Sequence, residues 1–243
     1  MNIAQETPVG AVVAERLGRA EVFDRLGIDY CCHGATPLAE ACARRSLDFD
    51  RVVAEIAESD LREAKEDLDR IDYSTMTAGE LADHIIVTHH VFLRRELPRL
   101  FDLLGKVVAA HGPRHPELSK LCNTLTDLRQ ELESHMIKEE RVLFPLVKQL
   151  EEARAPFPIH CGTVENPIRV MVHEHETVGL ALQQMRELTD NYQAPADGCA
   201  SFEALYDGLA RLETDLHRHI HKENNILFPR AAALESALWP AGA

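Results

Sequence analysis

The chain has 243 residues, 45% of them hydrophobic and 5% aromatic, and its 26 Lys+Arg against 40 Asp+Glu leave a formal net charge of -14. That is enough chain for one large domain or two small ones, and an acidic balance without any basic stripe argues against nucleic acid and anionic lipid as partners. No window approaches the roughly 18 consecutive apolar residues of a membrane span, and Met1 to Gly10 lacks the basic start and apolar core of a signal peptide, so a cytoplasmic chain is expected.

Leu- and Ala-rich stretches with helical periodicity, and no convincing strand, predict an all-α fold. Short helices are expected over the first 60 or so residues, with starts at Thr7-Pro8 and Thr36-Pro37. Between two of them lie the adjacent thiols of Cys31 and Cys32, which close a strained ring poorly and are read as reactive thiols rather than a disulfide, with two small core residues the favoured reading on the residues alone. Unpaired amides at the following helix start would lower a thiol pKa there. A charged stretch from Glu58 to Asp72 reads as the end of a helix or a linker.

Four long helices follow, near 77 to 110, 116 to 150, 167 to 190 and 198 to 231, the pattern of an up-down-up-down bundle. Thr77-Ala78-Gly79-Glu80 is a capping box for the first, and Asn166-Pro167 and Asp197 mark later starts. The resulting division is a small helical domain over 1–74, a bundle over 75–232 and a tail over 233–243. Pro145 and Pro229 are expected to kink or end their helices.

The bundle carries an internal repeat. Residues 135 to 145 and 219 to 229 share His, Lys, Glu, Leu, Phe and Pro at one offset of 84 residues. Steps of three and four place Leu121, Leu125, Leu128, Leu132, His135, Glu139 and Val142 on one seam, and Leu205, Leu209, Leu212, Leu216, His219, Glu223 and Ile226 on another. One His and one Glu interrupt each aliphatic seam at the same place. Burying a carboxylate costs several kcal/mol unless it is paired or bound to metal, and positions i and i+4 lie only about 40° apart around a helix.

The same test selects His90 on the first helix and His175 on the third; the lines through His89 and His173 carry charged residues. Glu140 and Asn224 are expected to point elsewhere, and His217 and His221 to be solvated; His84, His89 and His173 are read as surface residues, with a role in orienting ligands the alternative. His111 is expected to do no more than cap a helix end.

Four histidines and two glutamates are too rich in oxygen for a Cys/His zinc site and suit iron or manganese. With each Glu bridging two ions, each ion receives two nitrogens and two oxygens, leaving octahedral positions for a bridging oxo group or an added ligand. That describes a di-iron site.

The paired His-x-x-x-Glu motifs and the seam histidines resemble the hemerythrin-like domain of the repair-of-iron-centres family, the ScdA and YtfE type. Asp29-Tyr30-Cys31-Cys32-His33-Gly34 resembles the double-cysteine signature of that family's small helical N-terminal domain, with His33 where the family has a glycine. The resemblance implies His90, His135, His175 and His219 as terminal ligands and Glu139 and Glu223 as bridges of two irons per chain, oxo-bridged when oxidised. It implies a stress protein that restores iron-sulfur clusters damaged by nitric oxide or oxidants, by donating iron to the damaged cluster proteins. The reduced site would bind nitric oxide, and Cys31 and Cys32 would serve iron or nitric-oxide transfer. A hemerythrin-like binder, sensor or reducer of nitric oxide or oxygen is the alternative. Repair by donation is not conventional enzyme turnover. An apolar face on the N-terminal domain would suit a homodimer.

Overall fold

The computed structural model describes residues 3–66, 73 and 75–239. The part of the charged stretch beyond Glu66, the expected domain boundary at 74 and the last residues of the expected tail lie outside them. Among the described residues every regular element is helical, with one isolated bridge between Pro8 and Pro37. No helix among the described residues is long and apolar enough to cross a membrane.

Backbone packing groups the chain into two compact units. One comprises Met1–Ala82, Leu150–Phe157 and His217–Ala243, and the other Asp83–Gln149 and Pro158–Leu216.

The first unit begins with α1 (Val9–Glu15), a 3-10 turn (Leu17–Arg19), α2 (Ala20–Leu26), α3 (Leu38–Arg44) and α4 (Phe49–Glu66). Val12, Val13, Phe23, Leu38 and Ile56 are fully buried in it. Arg19, also buried, donates to the Val12 carbonyl at 3.0 Å, to Glu15 at 2.7 Å and through two nitrogens to Asp60 at 2.9 and 2.8 Å. A buried guanidinium is tolerable because its planar fork is filled on every side.

Four long helices follow, their residues divided between the two units. The first is α5 (Ala78–Ile85), a π turn (Ile86–His90) and α6 (Val91–His111). The second is α7 (Glu117–Lys138), a π turn (Glu139–Leu143) and α8 (Phe144–Glu152). The third is α9 (Glu165–Leu188), and the fourth is α10 (Ala200–Lys222), a π turn (Glu223–Leu227) and α11 (Phe228–Leu238), which runs well into the stretch expected as tail. Three of these helices pass through the boundary between units, α10 giving residues up to Leu216 to the second unit and those from His217 to the first unit. The capping box forms as expected: Thr77 N–H donates to Glu80 at 2.8 Å and Glu80 N–H to the Thr77 hydroxyl at 3.2 Å. Asp197 does not cap, since α10 starts at Ala200.

The leucine seams are buried: Leu93, Leu97, Leu100 and Leu104 on α6, Leu121, Leu125, Leu128 and Leu132 on α7, and Leu205, Leu209, Leu212 and Leu216 on α10. Met136, Met171 and Met185 fill gaps among them, as expected.

The π turns correct two expectations. Each inserts one residue into a regular helix, so the buried seam after Glu139 moves from Val142, which is 51% exposed, to Leu143, which is buried. Pro145 and Pro229 follow these turns, and both helices continue past them to Glu152 and Leu238. A proline near the N-terminal end of a helical segment gives up an N–H that would have had no regular partner there.

Candidate metal centre

In the bundle, His90 closes the first π turn, His135 sits in the last turn of α7, Glu139 opens the second π turn and His175 lies mid-way along α9. All four are buried. Glu139 Oε2 lies 3.3 Å from His90 Nε2 and its Oε1 lies 3.3 Å from His135 Nε2. His175 Nε2 is 3.1 Å from His135 Nε2. His135, Glu139 and His175 each offer a ligand atom within 4.8 Å of the others.

Neither oxygen of Glu139 accepts a hydrogen bond, although the residue is wholly buried. A carboxylate in that position costs several kcal/mol unless a positive charge meets it. Ring nitrogens and carboxylate oxygens that converge in a buried space are what a cation would satisfy, so the residues present fit a metal ion.

The outer nitrogens of two of these rings are fixed. His90 Nδ1 donates to Glu140 at 2.6 Å, and Arg94 donates to the same oxygen at 2.8 Å. Burial alone would raise the Glu140 carboxyl, but those two bonds hold it below the usual range. His135 Nδ1 donates to Glu174 at 2.9 Å, which with the Lys138 ammonium brings the Glu174 carboxyl down to about 2, the His135 bond being the largest cause. Phe144 stacks on His90 with ring centroids 5.9 Å apart. Glu140 therefore does not point away from the centre, as the helical wheel suggested. It anchors the His90 ring, and Glu174 anchors the His135 ring; Glu174, between His173 and His175, and Glu140, beside Glu139, were visible as carboxylates near the candidate residues.

His89, expected at the surface, is buried and donates to Asp215 at 2.9 Å. Its helix line also carries Glu96 and Arg99, which bond each other and bury Glu96. A charged line on a bundle helix can pack against a second neighbour when its charges pair internally.

In the first unit, His219 and Glu223 are both buried, with Nε2 and Oε1 3.0 Å apart. The second correction concerns their neighbours. His221 is wholly buried; burial pushes its imidazole down to about 4, against the pull of the Tyr30 carbonyl 3.4 Å from Nδ1. His217 donates to Asp24 at 2.9 Å. Asn224 and Asn225 donate to the Cys31 carbonyl, each at 3.2 Å, and Asn225 also to the Tyr30 carbonyl at 3.3 Å. The face expected to be solvated is thus covered by the loop that carries the cysteines.

That loop wraps around Asp29, whose Oδ1 accepts from the backbone amides of Cys31 at 3.1 Å and Cys32 at 2.9 Å. His33 Nδ1 donates to the other oxygen at 2.6 Å. The two sulfurs are 3.8 Å apart and both cysteines are free thiols. The expected lowering of the thiol pKa is reversed at Cys31. Its hydrogen bond to Cys32, then burial, then the Asp29 carboxylate push it well above the ordinary value. The amides at the start of α3 are spent on other carbonyls, Leu38 N–H on Thr7 at 2.9 Å and Ala39 N–H on Gln5 at 3.1 Å, and those of the cysteines themselves on Asp29.

Residues 81–231 match the family described as Hemerythrin HHE cation binding domain, and residues 5–60 match ScdA_N, described as a domain of unknown function (DUF542). The chain is 38% identical over 231 residues to the iron-sulfur cluster repair protein YtfE of Enterobacter sp. (strain 638), covering 95% of this chain and 99% of that protein. It is 36% identical, with the same coverage, to the proteins of that name from Citrobacter koseri and Escherichia coli O81. The buried histidines and glutamate of the bundle, the HHE match and the full-length similarity together show that the chain belongs to the YtfE family of hemerythrin-like iron-sulfur cluster repair proteins.

Proposed function

We propose that His90, His135, His175 and His219 as terminal ligands, with Glu139 and Glu223 as bridges, hold two iron ions. In this reading the protein is cytoplasmic and restores iron-sulfur clusters damaged by nitric oxide or oxidants by giving up iron to them. Iron bound here supplies exchangeable coordination positions and the capacity to take nitric oxide.

The observation that carries the reading is Glu139, a wholly buried carboxylate whose two oxygens accept no hydrogen bond and each face a different histidine. That is the disposition of a bridge. His219 and Glu223 repeat the pairing of His135 and Glu139 after 84 residues, on a helix whose preceding leucines are buried. Glu140 and Glu174 keep Nδ1 of two rings protonated, which turns Nε2 toward the bridging carboxylate. Cys31 and Cys32 would then serve transfer, on a loop tied by Asn224 and Asn225 to the turn that begins with Glu223.

The test is metal analysis of protein purified without air, beside Glu139→Ala and Glu223→Ala, followed by incubation with an iron-sulfur enzyme inactivated by nitric oxide. Two irons per chain, their loss in both variants and reactivation only by the wild type are expected. Zinc, one iron, or iron indifferent to both glutamates would sink the ligand assignment. Iron bound as expected without reactivation would sink the repair role alone.

A further inference from the structure

A second cluster of metal-ligating side chains lies in the second unit, where the α6–α7 connection meets the one between α9 and α10. His111 ends α6, His115 follows in the turn, and Asp197 and Cys199 precede α10. His111, His115 and Asp197 each offer a ligand atom within 4.8 Å of the others. His111 Nε2 is 3.3 Å from Cys199 Sγ, and His115 Nε2 is 3.1 Å from Asp197 Oδ1.

These separations can be compared with a metal's demands. With metal–nitrogen and metal–oxygen bonds near 2.1 Å and metal–sulfur near 2.3 Å, a tetrahedral site has N···S edges of about 3.6 Å and N···O edges of about 3.4 Å. Both observed pairs are within a few tenths of an ångström of that.

Three features make this more than chance proximity. The first is the scaffold: the His111 carbonyl accepts from the amides of Arg114 at 2.9 Å and His115 at 3.0 Å, a tight turn that folds His115 back beside His111. On the other strand of the cluster, Gly198 N–H donates to the Pro195 carbonyl at 2.8 Å. The second is support from beneath, since the buried Phe202 ring stands 5.3 Å from both imidazoles, edge-on. The third is the state of His115. Glu117 lies 2.7 Å from its Nδ1, so that nitrogen donates, as the outer nitrogen of a metal-bound histidine does. A neutral ring would then turn the Nε2 lone pair against the Asp197 carboxylate. Either a second proton or a metal ion must sit there.

We propose that His111, His115, Asp197 and Cys199 form a second, mononuclear site for a divalent ion of the zinc class, clamping two inter-helix connections together. Imidazole, carboxylate and one thiolate suit a borderline-soft ion in tetrahedral coordination, whereas the His/Glu centre offers no sulfur. Binding releases the thiol proton of Cys199 to solvent and shifts the Nε2 hydrogen of His111 to Nδ1, leaving Nε2 for the ion. The new Nδ1–H must displace Arg114, an exposed side chain whose guanidinium rests 3.2 Å from His111 Nδ1 and 3.4 Å from Asp197 Oδ2. Arg114 thus holds the tautomer that keeps Nε2 from the ion.

Cobalt(II) is the probe, titrated into reduced full-length protein whose His/Glu centre is already loaded. A saturable thiolate-to-cobalt charge-transfer band at one equivalent per chain, abolished by added zinc, is expected. Cys199→Ser, at an exposed position, should remove the band while leaving the helical circular dichroism unchanged, and His115→Ala should weaken cobalt binding by tenfold or more. Arg114→Ala should tighten it. The double variant Cys31→Ser/Cys32→Ser should keep the band, separating this site from the cysteine loop. Absence of the band in the wild type, its persistence in Cys199→Ser, or its loss with Cys31 and Cys32 would overturn the proposal.

Discussion

His90 and Glu140 are joined by a hydrogen bond of 2.6 Å, the imidazole Nδ1 donating to the carboxylate. A carboxylate at this distance puts a proton on Nδ1 and sets the ring so that Nε2 faces Glu139. His135 and Glu174 reproduce the arrangement on the next helices. Glu140→Ala and Glu174→Ala are therefore expected to weaken metal affinity by roughly 10- to 100-fold each, measured by competition with a chelator, while the apo-protein stays folded. Affinity unchanged in both variants would mean that the rings need no outer anchor.

The Cys31 thiol should be slow to react. Its pKa is raised by the Cys32 hydrogen bond first, by burial second and then by the charges of Cys32 and Asp29, so little thiolate exists until the pH exceeds the ordinary thiol range. Alkylation of Cys31 followed by peptide mapping from pH 7 to 10 is expected to rise only at the alkaline end. Asp29→Asn keeps an oxygen for the backbone amides and removes the charge, which should move the rise to lower pH. An alkylation rate at Cys31 that is already maximal at pH 7 would contradict the buried, hydrogen-bonded thiol.

The register after Glu139 yields a sharper stability test, because the regular helical count points to Val142 and the folded chain buries Leu143. Leu143→Ala should cost about 2–4 kcal/mol in urea unfolding of the apo-protein, and Val142→Ala within about 0.5 kcal/mol of nothing. Equal losses would mean that the helix is regular there and the π turn absent.

Most of the bundle was readable because its seams are long, leucine-rich and repeated, and a repeat shows which His and Glu share a position without any knowledge of contacts. The π turns were not readable. They insert a residue where ligands are presented, and no propensity marks them; the displaced proline in each Leu-Phe-Pro triplet was visible, but it reads as a helix end in a regular ladder. The histidines at 89, 217 and 221 were misplaced for a different reason. A seam test assumes one buried face per helix, whereas these positions lie on a second covered face, His89 against Asp215 and His217 and His221 under the segment from Asp24 to Tyr30. Polar residues buried by pairing look the same in sequence as polar residues left in water. At Cys31 the amides expected to help were those of the next helix start, and the carbonyls of Thr7 and Gln5 take them.

Asn225 makes the last of these relationships testable. It stands two residues after Glu223, and its amide group donates to the carbonyls of Tyr30 and Cys31, so the cysteine loop hangs from the turn that carries a proposed ligand. Two glycines make room for it: a Cβ on Gly34 would fall 2.0 Å from the Asn225 side-chain oxygen, and one on Gly10 would fall 2.3 Å from it. Gly34→Ala must therefore displace Asn225 or the loop, at about 1–3 kcal/mol, and Asn225→Ala should cost about 1–2 kcal/mol through two lost hydrogen bonds. Once Asn225 is gone, the added methyl has space, so the double variant should be less destabilised than the sum of the singles by about 1 kcal/mol or more in urea unfolding. Strict additivity would show that the two residues do not touch. Asn225→Ala should also speed alkylation of Cys31, since the loop that buries the thiol loses its anchor. A loop equally protected without Asn225 would place the tether elsewhere, with Asn224 the remaining donor to the Cys31 carbonyl.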